Sequence, residues 1–509
     1  MDDEVNRMDL LMGIDLGTGS CKVTVIDERG TLIAEASGEY PTSHPQPGYA
    51  EQDPNDWWHV VCDILKRMKA EATWEVGDIA AVALDGSTHN AVLLDKNNAV
   101  IRPVIMWTDQ RSAAEAKELQ AAHGKEILRI GWQMPTPTWT LPQLAWLNRH
   151  EPDTLARTAH ILFVKDHVRY RMTGVAATDH IEAAGTLFFD MEKRAWSREL
   201  CDLIGLPLSV LPEIVQPTDR VGVITAEASR ETGLREGTPV IAGASDSAVE
   251  AYAAGALDDG QAVIKIATAG NVNVMTSKPH PHEKTLTYPH IIPGRWYTVT
   301  ATNAAGVSKR WLRDVLSGSD ELSYADMDTA ALASSIGANG VQFHPYLSGE
   351  RSPYWDADLR ASFTGLSMAN GRGDIIRSLM EGVAFSLRDC SRVIDTMGLA
   401  LNEIRFIGGG AKSELWRTIV ADVFGRTLFV PAMSDASFGA ALLAGVGVGI
   451  FPTARDAIAR CGKIGAEINP SKDAHERYGS LFERYLKVHD ALAPVYTANA
   501  ALPANKEGA

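Results

Sequence analysis

Gly13-Ile14-Asp15-Leu16-Gly17-Thr18-Gly19 lies between two short apolar runs near the start of the chain, and a second glycine-bearing stretch, Ala267-Thr268-Ala269-Gly270, lies between two others near the middle. The apolar runs beside the first stretch, Leu10 to Ile14 and Cys21 to Ile26, predict two buried strands joined by a turn too tight for large side chains. The same strand-turn-strand unit therefore occurs twice. This duplication predicts a phosphate site in a cleft between two related halves.

Both turns are suited to phosphate. Glycine lets backbone N–H groups approach phosphate oxygens, and an aspartate at the strand end, here Asp15, can hold a hydrated magnesium ion. The alternative is a pair of ordinary hairpins, which are common in α/β proteins. Gly13 to Gly19 lacks the spacing of a dinucleotide fingerprint, and Gly408 to Ser413 lacks the paired glycines of a Walker loop. A nucleotide site built on these turns is therefore of another type.

The composition is that of an ordinary globular protein. Because 509 residues exceed what one core comfortably holds, we expect two large domains or more. Hydrophobic residues make up 45% of the chain and charged residues 22%, which argues against extended disorder. The formal net charge of -16 disfavours binding to nucleic acid or to an anionic membrane, so a small molecule is the expected partner.

The spacing of the cysteines and the charge of the amino terminus bear on the cellular compartment of the protein. Five scattered cysteines without a Cys-x-x-Cys pair suggest neither a disulfide framework nor a zinc cage, so we expect reduced thiols. Acidic residues at positions 2–4 stand where a secretory signal would be basic, and the most apolar long stretch, Ala440 to Phe451, is short and rich in glycine. We therefore expect a cytoplasmic protein.

Strand-like runs alternate with helical patterns along the first half, as α/β folds require. A helix is predicted from Pro54 to Ala70, with Asp53 as its N-cap, and Trp57-Trp58 within it is expected to pack in the core. The polar connection around 256–260 precedes the second turn. We place the domain boundary there, which gives domains 1–255 and 256–496 and a frayed tail at 497–509.

A third accessible turn is predicted in the second half. The helical pattern from Ile375 to Met397 is followed by a strand, Ile404 to Ile407, and then by Gly408-Gly409-Gly410. A further helical pattern runs from Ser413 to Phe424, so these glycines lead into a helix N-terminus. Such a turn takes a phosphate or the flat face of a base, or else it is a point of close packing between helix and strand.

Polar side chains at other strand ends are candidates for chemistry. Asp246 follows an apolar run among small residues, where it is either a helix N-cap or a base that takes a proton from a substrate hydroxyl. Thr88, His89, Trp107 and Asp109 combine donors, a carboxylate and an aromatic face, a mixture that suits a sugar or polyol. His89 alone is as consistent with a structural histidine. His280 and His282 lack a third metal ligand, so we assign them to a loop.

The chain resembles the FGGY carbohydrate kinase family over roughly residues 9 to 490. Within that family, the resemblance is greatest to the members that phosphorylate D-xylulose. The motifs that carry the resemblance are spread along the chain in order: residues 13–18, 51–54 with Trp57-Trp58, 107–111, 165–166 with 169–174, 242–246, 347–353, and 408–413 with Trp416-Arg417.

The resemblance implies two actin-like (ribonuclease-H-like) domains of α/β type, with ATP and sugar meeting in the cleft between them. It also implies a role for individual residues. Asp246 becomes the general base, and Asp15 becomes the carboxylate that helps to place Mg2+. The implied nucleotide contacts are Gly17 and Thr18 on one side, Thr268 and Gly270 on the other, and Gly408, Gly409, Gly410 and Ser413 at the border of the nucleotide. The implied sugar contacts are Thr88, His89, Trp107, Asp109 and Asp246.

Departures from the family pattern leave the substrate open. D-xylulose kinases usually carry Met-His-Gly where this chain has Thr88-His89-Asn90, and commonly an Asn where Ser247 stands. D-xylulose is the first candidate, followed by ribulose, erythritol, deoxyxylulose and gluconate. Two other classes are an actin-like ATPase switch, which needs neither Asp246 nor the hydroxyl-binding cluster, and an inactive sugar-binding regulator. Analogy with the family suggests a homodimer.

Overall fold

The computed structural model describes residues 9–72, 74–317 and 322–500 of the chain. The first half is built on these strands: β1 (Leu10–Leu16), β2 (Ser20–Ile26), β3 (Leu32–Glu39), β4 (Glu51–Gln52), β5 (Ile79–Gly86), β6 (Ala91–Leu94), β7 (Val104–Ile105), β8 (His160–Phe163), β9 (Ala177–Asp179), β10 (Phe189–Asp190), β11 (Ala195–Trp196), β12 (Glu213–Val215), β13 (Arg220–Val223) and β14 (Pro239–Ser245). Its helices are α1 (Pro54–Glu71), α2 (Ala113–Gly131), α3 (Thr140–His150), α4 (Pro152–Arg157), α5 (Val164–Thr173), α6 (His180–Ala184), α7 (Arg198–Asp202), α8 (Ala226–Thr232) and α9 (Asp246–Ala253).

The second half continues the alternation. Its strands are β15 (Gln261–Ile266), β16 (Gly270–Thr276), β17 (Leu286–Pro289), β18 (Trp296–Thr302), β19 (Gln342–His344), β20 (Ser362–Thr364), β21 (Glu403–Ile407), β22 (Leu428–Pro431) and β23 (Ile464–Ile468). Its helices are α10 (Gly306–Leu316), α11 (Tyr324–Leu332), α12 (Arg372–Thr396), α13 (Glu414–Phe424), α14 (Ala436–Gly447), α15 (Ala454–Cys461) and α16 (Lys472–Ala500).

The two large sheets repeat one topology. The first has the order β13-β14-β5-β1-β2-β3 and the second the order β17-β18-β16-β15-β21-β22-β23. In the first, β1, β5 and β14 are parallel neighbours, while β2 and β3 fold back from β1 as an antiparallel meander. In the second, β15, β21 and β22 are the parallel neighbours, and β16 and β18 form the meander. The duplicated strand-turn-strand unit is therefore the start of each sheet, and the expected two-part α/β architecture is confirmed.

The predicted local signals fall where expected. Helix α1 begins at Pro54, and the Asp53 side chain accepts a hydrogen bond from Asn55 N at 2.9 Å, so Asp53 is the N-cap. Trp57 and Trp58 are at most 1% exposed and pack in the core. The long helix predicted from Ile375 begins three residues earlier. Residues 497–500, which we assigned to the tail, form the end of α16, and residues 501–509 lie outside the described part of the chain.

Helix α14 of the second half packs on the sheet of the first half, and this contact joins the two halves. A Cβ atom on Gly13 would lie 1.8 Å from the carbonyl oxygen of Ser437, so Gly13 allows β1 and α14 to approach closely. A Cβ atom on Gly439 of α14 would lie 2.6 Å from Val249 of α9. One hydrophobic cluster accordingly contains residues from both halves. Gly13 therefore serves packing, and the phosphate turn begins beyond it.

The remaining expectations concern cysteines and membranes. The cysteines at positions 21, 62, 201, 390 and 461 are buried and free of disulfide bonds. Among the described residues, no helix is long and apolar enough to cross a membrane.

Candidate active site

Three aspartates meet at the carboxyl ends of neighbouring parallel strands. Asp15 near the end of β1 is the ladder partner of Asp85 in β5. Asp85 is in turn the partner of Ala244 in β14, two residues before Asp246. The carboxyl ends of parallel strands at one edge of a sheet are the usual place for ligand sites in α/β proteins. The sequence singled out Asp15 and Asp246 for chemistry, and the strand register adds Asp85.

Asp15 and Asp85 form an enclosed acidic pair. Burial, followed by the charge of Asp246, raises the pKa of Asp15 to about 7. Burial and the neighbouring Asp15 hold the pKa of Asp85 well above its usual range. Oδ1 of Asp15 and both carboxyl oxygens of Asp85 are enclosed, and apart from each other these two carboxyls have no hydrogen-bond partner there. Enclosed carboxylate oxygens at this density fit a divalent cation, which would neutralise their mutual repulsion.

The protein alone does not complete a metal shell. Within the described residues, no group of three or more His, Cys, Asp and Glu side chains is arranged to hold a metal ion. Mg2+ typically binds one or two carboxylates and takes its other ligands from water and substrate phosphates. The Asp15–Asp85 pair fits that mode, and it does not fit a closed structural metal site.

A bulge sets the direction of Asp246. Gly243 has a φ of 70°, and a Cβ atom there would lie 1.6 Å from the carbonyl oxygen of Leu84, so only glycine fits. The ladder between β14 and β5 shifts register between Ile241 and Ala244, just before α9 begins. Ser245 is the N-cap residue, and Asp246 is the first residue of α9. The N-cap alternative for Asp246 is therefore wrong.

The Asp246 carboxylate is half-buried and poised for proton transfer. Its Oδ1 accepts hydrogen bonds from Ser247 N at 2.6 Å and Ser247 Oγ at 3.1 Å. Burial, followed by the charge of Glu250, raises the pKa of Asp246 to about 6, while Lys265 acts in the opposite direction. A group with this pKa is largely ionised at neutral pH and still basic enough to take a proton.

The second turn is held by backbone hydrogen bonds. The carbonyl oxygen of Ala267 accepts from Gly306 N at 2.7 Å, and that of Thr268 accepts from Ala305 N and Val307 N, both at 3.1 Å. These donors start helix α10, so the turn itself occupies that helix N-terminus. Thr268 is exposed, whereas a Cβ atom on Gly270 would lie 3.0 Å from two neighbouring side chains. Close packing therefore accounts for Gly270, and Thr268 remains free for a ligand.

The glycines of the third turn have different roles. Gly408 has a φ of 85°, and its Cβ atom would lie 2.6 Å from the carbonyl oxygen of Ile266. Gly410 would meet the Ile266 side chain at 2.6 Å, but Gly409 has no atom closer than 4.0 Å. Ser413 accepts a hydrogen bond from Trp416 N at 3.2 Å and so caps α13. Packing and capping account for three of the four predicted contacts, and Gly409 is the open one.

His89 is held as a neutral acceptor. Its Nδ1 contacts the carbonyl oxygen of Gly185, which can only accept, so Nδ1 carries the proton. Burial lowers the pKa of His89 to about 4 despite this hydrogen bond. Nε2 has no partner in the described structure and is left to accept a hydrogen bond. The ring packs edge-on against Trp139 with centroids 4.4 Å apart.

Trp107 joins the hydroxyl-binding cluster to the first turn. Its indole N–H donates to Thr18 Oγ1 at 2.9 Å, and its backbone N–H donates to Asn90 Oδ1 at 2.6 Å. Thr88 is half-buried beside His89. The cluster predicted from sequence is therefore brought together, next to the turn that carries Asp15.

Asp109 differs from its predicted role. Its Oδ2 accepts from Ala50 N at 2.6 Å and from Arg111 Nη2 at 2.8 Å, while Oδ1 accepts from Arg111 N and Nε. The side chain is 1% exposed. Because both oxygens are used within the protein, we correct the assignment of Asp109 from sugar ligand to structural residue.

Sequence reasoning missed three charged residues of the site: Asp85, Glu250 and Lys265. Asp85 lies near the end of β5, and the pairing of β5 with β1 was not deducible from a local pattern. Glu250 lies one helical turn after Asp246, a spacing that places both on one face of α9. Lys265 immediately precedes Ile266 at the start of the second turn, where comparison with Asp15-Leu16 would have revealed it.

Two family models match most of the chain. The FGGY family of carbohydrate kinases, N-terminal domain, matches residues 10–252, and the C-terminal domain of that family matches residues 262–448. Xylulose kinase from Bacillus subtilis is 32% identical over 96% of this chain and 99% of the relative. Gluconokinase from the same organism is 25% identical over 96% of this chain and 97% of the relative.

Solved structures agree with these matches. The chain superposes on xylulose kinase from Rhodospirillum rubrum with a TM-score of 0.86 and 29% identity, over 96% of this chain and all of the other. It superposes on gluconate kinase from Lactobacillus acidophilus with a TM-score of 0.89 and 25% identity, over 96% of this chain and 99% of the other.

Proposed function

We propose, from the premise that the chain belongs to the FGGY family of carbohydrate kinases, that this sugar kinase uses ATP and Mg2+ to phosphorylate a terminal hydroxyl of D-xylulose. The observation that carries the proposal is the placement of the half-buried Asp246 carboxylate on the strand end next to the Asp15–Asp85 pair. A base and a cation-binding pair at one edge of a sheet are what phosphoryl transfer to an alcohol requires.

Asp246 acts as the general base. With a pKa of about 6 it is mostly ionised at pH 7, and it accepts the proton of the attacking hydroxyl as the oxygen bonds to phosphorus. The hydrogen bonds from Ser247 fix the carboxylate, so one oxygen is held while the other is free for the substrate. Most of the remaining rate enhancement comes from alignment of the two substrates and exclusion of water.

The two turns hold the nucleotide in this proposal. Gly17 and Thr18 contact the phosphates from the first half, and Thr268 contacts them from the second. Asp15 and Asp85 hold Mg2+, which supplies neutralisation of the phosphate charge. Gly409 has an open face in the third turn, where the nucleotide can lie against the main chain.

The hydroxyl-binding cluster favours a neutral sugar. Neutral His89 offers an acceptor at Nε2, Thr88 offers a hydroxyl, and Trp107 offers an aromatic face. These groups carry no positive charge that would pair with an acidic sugar. D-gluconate is the second candidate because a gluconokinase and a gluconate kinase structure are similar to this chain over almost its whole length.

The test is an ADP-release assay with ATP and Mg2+ across pentuloses, hexuloses, polyols and aldonates. We expect D-xylulose to give the highest kcat/KM and D-gluconate to be at least tenfold poorer. Phosphorylation of D-gluconate as the best substrate would contradict the choice of sugar. ATP hydrolysis that no sugar stimulates would instead support the actin-like ATPase alternative, and neither hydrolysis nor transfer would support the regulator.

A further inference from the structure

In each half, a charged residue stands one position before the end of the strand that leads into the turn. The charge is negative in the first half and positive in the second. Asp15 pairs with Lys22 across the first hairpin, and Leu16 with Cys21 closes the strand pair. In the second hairpin Lys265 pairs with Asn271, and Ile266 with Gly270 closes the pair. Asp15 and Lys265 therefore occupy equivalent positions. The parallel neighbour of Asp15 is Asp85, whereas that of Lys265 is the apolar Ile407.

Lys265 of the second half contacts helix α9 of the first half, which carries the proposed base. Its Nζ lies 2.5 Å from Glu250 Oε2, and the two side chains are 24% and 21% exposed. Glu250 lies four residues after Asp246 in α9, on the same face of the helix. A partly enclosed ion pair of this kind is screened less by solvent than an exposed one.

We propose that Lys265 and Glu250 form a positioning pair, which ties the strand before the second phosphate turn to helix α9 and so holds Asp246 in register with the bound triphosphate. The pair rests on the proposed function, since its purpose is to align a base in one half with a phosphate turn in the other. In this proposal Lys265 acts on Asp246 through Glu250, so it is a positioning residue.

The charges around Asp246 agree with this role. Glu250 raises the pKa of Asp246 and Lys265 lowers it. Lys265 therefore offsets the effect of its own ion-pair partner, Glu250, on Asp246. The other titratable groups that face Asp246 come from different elements: Asp15 from β1, Asp85 from β5, Tyr40 after β3, Tyr288 from β17 and Tyr297 from β18. Burial lowers the pKa of Lys265, but the carboxylates of Glu250, Asp246 and Asp15 outweigh burial and leave that pKa raised.

The test uses single and double variants of the pair. Lys265→Met leaves Glu250 unpaired next to Asp246, so we expect the acid limb of the pH profile of kcat/KM to move up by about one pH unit. Glu250→Gln removes the opposing charge, and we expect the limb to move down. The double variant Lys265→Met/Glu250→Gln should restore the wild-type limb while kcat remains at least tenfold reduced. Lys193→Met, which removes a lysine from a 2.8 Å surface pair with Asp190, is the matched control.

Hydrogen exchange tests the tie without relying on turnover. We expect faster amide exchange in peptides covering 246–253 and 266–270 in Lys265→Met than in the wild type or Lys193→Met. If the variants of an active enzyme showed unshifted pH profiles and unchanged amide exchange, the positioning role of Lys265 and Glu250 would be refuted and the proposed function would stand. A wild type that phosphorylates no sugar would refute the proposed function, and exchange would then decide by itself whether Lys265 joins the two segments.

Discussion

The first and second turns have the same strand topology but are held in place by different means. Besides backbone hydrogen bonds, the first turn is held by side chains from its own half: Gln52 Nε2 donates to Thr18 O at 2.6 Å, Trp107 donates to Thr18 Oγ1, and the Tyr40 hydroxyl contacts Gly17 O. The second turn is fixed by three backbone N–H groups at the start of α10. A repeated topology therefore does not require repeated chemistry.

The charges differ as well, and this difference divides the work between the halves. The first half contributes Asp15, Asp85 and Asp246, and the second contributes Lys265. Clustered carboxylates suit a cation and a proton acceptor, whereas one lysine among them suits the joining of the two halves. We therefore expect the chemistry to depend on the first half and much of the alignment on the second, and the following variants test that division.

The largest effect is expected for the base. Asp246→Asn keeps the size of the side chain but removes its basicity, so kcat should fall by about 10²- to 10⁴-fold. Binding of ATP, measured by calorimetry, should change much less, since the phosphate turns are intact. Asp63→Asn, an exposed position on α1, is the control and should retain full activity. Undiminished phosphorylation by Asp246→Asn would remove the central assignment.

The next largest effect is expected for the Asp15–Asp85 pair, where a substitution of Asp85 should change stability and activity in opposite directions. Asp85→Asn removes a buried carboxyl whose pKa is raised in the folded state, and the folded protein therefore binds more protons than the unfolded chain at intermediate pH. The stability of the wild type falls as the pH rises above about 4, the usual pKa of an aspartate. The variant has no carboxyl at this position and does not lose stability in this way. We expect its Tm without Mg2+ to be higher by roughly 2–4 °C at pH 7.5 and unchanged near pH 4.

The same variant should lose activity, because one of the two proposed Mg2+ carboxylates is gone. The apparent Mg2+ requirement, measured as the concentration for half-maximal rate, should rise at least tenfold. A variant that is both less stable and equally active would show that Asp85 is an ordinary structural residue.

Local signals in the sequence were sufficient for the repeated unit and for several element boundaries. The Asp53-Pro54 start of α1 and the strand Ile404 to Ile407 follow from capping and apolar runs, which depend on neighbours in the chain. The polar clusters at strand ends also made Asp15, Asp246 and His89 candidates, because small residues and turns accompany them.

Contacts between residues far apart in the chain determine which residues belong to the site, and the sequence alone did not reveal these contacts. Asp85 joins the site through the β1–β5 ladder, and Asp109 leaves it because Arg111 and Ala50 N occupy its oxygens. The triple glycine at 408–410 divides into packing and open positions only once Ile266 lies beneath it. Each correction depends on a contact between residues far apart in the chain or on a side-chain direction that no pattern encodes.

A smaller effect distinguishes packing glycines from the open one. Gly410→Ala places a Cβ atom 2.6 Å from Ile266, so we expect a loss of about 1–3 kcal/mol in the free energy of unfolding. Gly409→Ala meets no atom within that range and should leave stability unchanged while raising the KM for ATP several-fold. Urea unfolding and ATP titration of both variants measure these effects. Equal destabilisation by the two would contradict the distinction.

The smallest effect compares the equivalent threonines of the two turns. Thr18→Val removes the acceptor of the Trp107 N–H, and a lost hydrogen bond of this kind is worth about 0.5–1.5 kcal/mol, so the KM for the sugar should rise by up to about tenfold. Thr268→Val removes a hydroxyl that has no partner among the described residues, so the KM for the sugar should not change. Any effect of that variant should fall on the KM for ATP. The two threonines occupy equivalent positions in the two turns. A rise in the KM for the sugar in both variants would show that both turns affect sugar binding in the same way. That result would contradict the proposed division of chemistry between the two halves.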